Sequence, residues 1–156
     1  MVDFVGQLGF TGNFDMTLDD KGRMTTPASF AKVLNCLPEG EKGELIATIS
    51  LNKCVALLPV QEWMRWMESI DALPALDESS RRLKTLTPAF SFQVSLDGNK
   101  RIRVPQQLLD MFGITRDVTV VGMKKHFEIW DRKAWSDFTR KTLEDLSESA
   151  QKALAH

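Results

Sequence analysis

Histidine and cysteine are scarce in this chain, with two of each in 156 residues. His126 and His156 have no sequence neighbours at metal-ligand or triad-like spacing, so both read as surface residues rather than catalysts. Cys36 and Cys54 are far apart, form no C-x-x-C and precede no histidine cluster. They read as buried, reduced thiols, and no metal is expected. Phosphate-cradling and nucleophile motifs are missing as well: no P-loop, G-x-G-x-x-G, G-x-S-x-G or H-E-x-x-H occurs. The adjacent carboxylates of Asp19 and Asp20 fall in a turn, where Asp is favoured for backbone hydrogen bonding whatever the function. No enzymatic activity, cofactor or small-molecule substrate is expected.

Long apolar runs are also lacking. None approaches the ~18 residues that cross a bilayer, and the N-terminus has no cationic start followed by an apolar stretch. A soluble, cytoplasmic protein that does not engage membranes is the expectation. Charge of one sign is absent too, since the formal net charge is −1 with 26% of residues charged. That excludes binding to nucleic acid through bulk positive charge, so any such binding has to come from a local patch, multiplied by assembly.

What the chain does contain is a repeat. Residues 18–27 read Leu-Asp-Asp-Lys-Gly-Arg-Met-Thr-Thr-Pro, and residues 96–105 read Leu-Asp-Gly-Asn-Lys-Arg-Ile-Arg-Val-Pro. Leu, Asp, Arg and Pro recur at an offset of 78, and an apolar residue follows each Arg. Downstream, Val55 to Leu58 followed by Trp63 is echoed by Phe127 to Trp130 followed by Trp135, now at an offset of 72. The extra residues of the first copy fit the polar, turn-rich loop from Leu37 to Gly43, where an insertion is tolerated. A unit of roughly 60 residues is marginal alone, so the two copies are expected to dock on one another.

Each copy is predicted to be β-β-α-β-β-α. Phe10 to Leu18, a turn at Asp19 to Gly22, and Arg23 to Thr26 make a hairpin, repeated by Ser91 to Leu96, Asp97 to Lys100 and Arg101 to Val104. Pro27 and Pro105 then open helices, with Thr26 as the N-cap of the first and Gly113 as the C-cap of the second. Strands over 44–50 and 55–58, and over 117–122 and 127–130, form a second hairpin in each copy. Helices carrying Trp63, Met67 and Ile70, and Trp135, Phe138 and Thr142, close the units. The expected organisation is a first repeat over 8–72, a connecting helix or linker over 73–88, a second repeat over 89–145, and a tail over 146–156. Leu146, Ala150 and Leu154 make that tail either a weak amphipathic helix or disordered.

Strand parity marks out candidate functional residues. Side chains two apart share a face, so Arg23 and Thr25 point one way and Met24 and Thr26 the other, while Arg101 and Arg103 oppose Ile102 and Val104. Lys21 and Lys100 lie in the adjoining turns. Such a cationic β-ribbon suits phosphates and the O6/N7 edge of guanine in a major groove. The plainer alternative is that the arginines form turn-stabilising ion pairs with Asp19 and Asp97.

With two D-x-x-x-R signatures, Asp19 to Arg23 and Asp97 to Arg101, each running into an apolar strand and Pro, the chain resembles the MraZ family. Phe10-x-Gly12, Val120-Val121-Gly122 and Phe127-Glu128-Ile129-Trp130-Asp131 extend the resemblance over most of the sequence. It implies an α+β fold in which swapped AbrB-like hairpins form one pseudo-dimeric β-barrel flanked by helices. It also implies ring-shaped homo-oligomers and binding to G-rich direct repeats in the promoter of the protein's own division and cell-wall gene cluster, usually as a repressor associated with the nucleoid. The DNA-binding residues would be Lys21, Arg23, Thr25, Lys100, Arg101 and Arg103. The alternatives are an antitoxin of the AbrB class, whose tail would hold a partner, and a structural ring that does not bind DNA.

Overall fold

The computed structural model describes residues 8–155. His156, and residues 1–7, where a leader would begin, lie outside the described residues. The first copy contains β1 (Asn13–Thr17), β2 (Arg23–Thr25), α1 (Ala28–Asn35), β3 (Glu44–Ile49), β4 (Val55–Pro59), α2 (Val60–Asp71) and α3 (Glu78–Ala89). The second contains β5 (Phe92–Ser95), β6 (Arg101–Arg103), α4 (Gln106–Met111), β7 (Asp117–Gly122), β8 (Phe127–Asp131), α5 (Arg132–Glu144) and α6 (Leu146–Leu154). Each β-β-α-β-β-α unit is thus followed by one further helix. None of these helices is long and apolar enough to cross a membrane.

The fold is α+β, and its strands are exchanged between the copies. One antiparallel sheet runs in the order β1-β7-β8-β4-β3-β5, and among the described residues β2 pairs with β6 alone. β1 lies on β7 of the other copy, with Asn13 opposite Val121 and Thr17 opposite Asp117. Reciprocally β5 lies on β3, with Ala47 opposite Phe92, and β4 meets β8 at the junction, with Val55 opposite Ile129. This corrects the expected hairpins. Asp19 N–H donates to Arg23 C=O at 2.9 Å, but β1 and β2 then part and find partners in the other copy. The six-stranded sheet is open rather than closed, with β1 and β5 at its edges. Pro27 and Pro105 cannot donate to a ladder, so β2 and β6 stop after three residues each and form a separate ribbon.

Side chains from both copies meet in one core. Phe30 of α1 is fully buried and packs against Phe10, Phe14 and Phe127, with ring centroids 5.1–5.3 Å apart. Met24 and Ile102, facing each other across β2 and β6, point into the same cluster, as the strand parity predicts. Helix ends follow the expected punctuation with one correction. Gly113 takes φ 64° after α4, and Ile114 N–H returns to Leu109 C=O at 2.9 Å, so the glycine supplies the left-handed turn that a Cβ would disfavour. Thr26 is not the cap of α1. The cap position is Pro27, and the buried Thr26 Oγ1 has no hydrogen-bond partner among the described residues. Cys36 is exposed at the end of α1, and only Cys54 is buried.

A buried carboxylate ties the copies together on the other face of the sheet. Glu128 of β8 accepts hydrogen bonds from Ser50 Oγ at 2.5 Å, Asn52 Nδ2 at 3.3 Å and Trp130 Nε1 at 3.1 Å. Burial pushes its pKa up, but the His126 imidazole 3.9 Å away and donation from Ser50, Asn52 and Trp130 outweigh that and hold it below the ordinary value. Burial, followed by the nearby Glu128 charge, raises the Cys54 thiol far above its usual range and leaves it inert.

Candidate nucleic-acid interface

The two signature turns are built alike. Asp19 Oδ1 accepts the backbone N–H groups of Lys21 and Arg23, both at 2.9 Å, and its Oδ2 accepts Arg23 Nε at 2.8 Å. In the second turn Asp97 Oδ1 accepts Asn99 N–H at 2.8 Å and Arg101 N–H at 2.9 Å, and Oδ2 accepts Arg101 Nε at 3.0 Å. The spacing D-x-x-x-R is what lets one carboxylate close the turn with one oxygen and hold the arginine with the other. The backbone needs a left-handed residue just before each arginine. Gly22 provides it at φ 75°, and Lys100 adopts it at φ 58° in the second turn, so the geometry survives the loss of glycine there.

Ion pairing and ligand readiness coexist in this arrangement. The carboxylate engages each guanidinium through Nε, and the two Nη groups make no hydrogen bond among the described residues. Each arginine therefore retains its outer fork, the part that can engage a phosphate or a guanine edge bidentately. Both side chains remain about a third exposed, at 33% for Arg23 and 36% for Arg101.

The β2–β6 ladder brings these arginines together. Arg23 stands opposite Arg103, and Thr25 opposite Arg101, all four on the outer face while Met24 and Ile102 point inward. Arg23, Thr25 and Arg101 line one cleft, which Arg116 joins. Lys21 and Arg103 line a neighbouring cleft, and Asp20 borders both. Lys100 lies elsewhere, lining a third cleft with Lys32 and Lys42, because its backbone occupies the place of Gly22 rather than that of Lys21.

Arg116 was not among the residues the sequence pointed to. It sits one residue before β7. Its carbonyl accepts Leu18 N–H at 2.8 Å, which seats it beside the first turn across the strand exchange. Neither Arg103 nor Arg116 forms an ion pair among the described residues.

Electrostatics hold the turns closed over a wide pH range. Asp19 is lowered from 3.8 to about 2, first by the Arg23 N–H and further by its guanidinium, although desolvation opposes the shift. Asp97 is lowered by the corresponding contacts to Arg101. A depressed carboxylate stabilises above its ordinary pKa and loses that contribution only as pH falls through the folded value. For Asp19 the loss therefore lies between 3.8 and about 2, and neutral pH leaves the turn untouched.

A family model described as "MraZ protein, putative antitoxin-like" matches this chain twice, over residues 10–86 and again over residues 89–156.

Proposed function

We propose, from the premise that the chain belongs to the MraZ family, that it is a sequence-specific DNA-binding transcriptional regulator. It binds G-rich direct repeats upstream of its own division and cell-wall gene cluster, as a repressor, from the nucleoid-associated cytoplasm. It has no enzymatic activity and needs no cofactor. Residues 8–72 and 89–145 act as the two repeats, joined by 73–88, and the ribbon with the six-stranded sheet makes a barrel-like enclosure. Several such subunits assemble into a ring.

One observation carries the reading: the outer face of a three-residue ribbon places Arg23 directly opposite Arg103, with Arg101 one diagonal away. Like charges facing each other across a ladder are unfavourable to the ribbon itself. A polyanion laid over that face relieves the repulsion, and the free arginine forks supply base readout while Lys21 reaches phosphate beside them and Lys100 reaches it from its separate cleft. Thr25 adds a small polar contact between the arginines, and Arg116 extends the cationic side. Net charge of −1 is no obstacle, because a ring presents many local ribbons at once.

The test is a gel shift with the DNA upstream of the gene beside a base-shuffled control of equal length. Retardation of the native fragment alone is expected, and equal retardation of both would remove sequence specificity. The turn offers a finer expectation. Asp19→Ala frees Arg23 to wander and removes two backbone acceptor contacts, so operator affinity should fall on the order of tenfold through lost preorganisation, with a titration at neutral pH as the check. Unchanged affinity would mean that the turn does not position Arg23 for binding.

A further inference from the structure

The outward face of the sheet is filled differently in the two copies. In the second, Trp130 of β8 packs its ring against Trp135 and Phe138 of α5, with centroids 5.1 and 4.9 Å away. The equivalent residues of the first copy, 72 positions earlier, are Leu58, Trp63 and Trp66. Leu58 has no ring to fill the space, and an apolar groove remains, lined by Ile49, Leu51, Ala56, Leu58, Trp66 and Met123. Leu51 on its rim is 68% exposed. Lys124 and Lys125 also border the groove, and neither forms an ion pair among the described residues.

A second uncovered apolar surface lies at the far end of the chain. α6 runs over Leu146–Leu154 and has no buried residue. Leu146, Ala150 and Leu154 share one stripe at helical spacing, and the two leucines are 53% and 85% exposed. Its positional counterpart α3 behaves otherwise, burying Ser80 and Thr87 where it packs on α2 and β3. Glu144 and Asp145 lead into α6, and neither forms an ion pair among the described residues. The groove is thus largely apolar, with the Glu62–Arg65 ion pair and the buried Glu128 in its lining and the unpaired Lys124 and Lys125 on its border, and the helix is apolar with an anionic lead.

We propose that the Leu146–Leu154 helix of one copy seats in the Leu51–Trp66–Met123 groove of the next, with Glu144 and Asp145 against Lys124 and Lys125. The two surfaces differ, so the contact is head-to-tail, and contacts of that kind make a ring where the rotation between copies closes. A nine-residue helix gives a weak single contact, and closure of the ring multiplies it. This rests on the ring reading above and assigns the surface through which the ring forms.

Light scattering on the full chain tests it, with wild type, Leu146→Asp/Leu154→Asp and Leu51→Asp measured side by side. These leucines are exposed, and circular dichroism checks that each variant is folded. Wild type should run at several times 17.6 kDa, and both variants should fall to the mass of one chain. In a Cys36→Ser background, Leu51→Cys chains mixed with Leu146→Cys chains should form a disulfide-linked dimer under mild oxidation that neither makes alone. Folded variants that still assemble would overturn the docking surface and leave the ring standing, as would Leu146→Cys chains that cross-link to themselves. A monomeric wild type would overturn the ring reading, and this surface with it.

Discussion

Arg23→Ala and Arg101→Ala are each expected to abolish operator-specific binding while leaving the fold in place. Each removes a guanidinium fork from the outer face and takes no volume from the core, because the inward neighbours Met24 and Ile102 are untouched. A bidentate guanine contact contributes about 1–3 kcal/mol of discrimination, so losing one in every subunit of a multivalent assembly multiplies to several orders of magnitude in affinity. Arg103→Ala should do less, since no carboxylate holds that side chain in one pose. Fluorescence anisotropy on labelled operator reads the affinity, and circular dichroism reads the fold. Wild-type affinity in the alanine variants would assign the arginines to turn closure alone, and so would loss of the folded signal.

The largest effect on stability is expected at Phe30. It is fully buried, and its ring touches Phe10 and Phe14 from one copy and Phe127 from the other. Truncation to alanine removes a ring from the centre of this cluster and leaves a cavity the surrounding strands cannot close, a change that costs about 3–5 kcal/mol. The exchange of β1 and β5 makes the two copies one cooperative unit, because unfolding either strips an edge strand from the other. Urea denaturation followed by circular dichroism and by tryptophan fluorescence should give a single coincident transition, shifted well down in Phe30→Ala. Two separated transitions in wild type, or a loss below about 1 kcal/mol in the variant, would contradict an interlocked core.

Signals that act over a few residues were readable in the chain. The D-x-x-x-R spacing announced a turn because one Asp side chain reaches backbone groups two and four residues on. Gly113 announced a helix end, and the alternation from Arg23 to Thr26 announced which side chains face out. Pairing partners were not readable, since parity assigns a face and says nothing of the neighbour. That β1 lies against β7, about a hundred residues away, depends on packing of the whole core. Arg116 was missed for that reason, as it reaches the first turn only through this exchange. Lys100 and Lys21 both adjoin a turn, yet the one-residue difference in register sends Lys100 to another cleft. The groove beside Leu58 emerges only when Trp130 is laid over its counterpart in the folded sheet.

The claim that local arginine forks on a repeated ribbon read DNA bases is tested most directly by a salt titration. Operators with one, two and three direct repeats are measured beside a shuffled sequence of equal length. Each phosphate contact contributes roughly 0.9 to the slope of log affinity against log salt, so a slope that steepens with each added repeat is expected. Shuffling should cost orders of magnitude in affinity at every salt concentration. Equal affinity and equal slope for native and shuffled DNA would contradict the account and leave a protein that coats DNA without reading it.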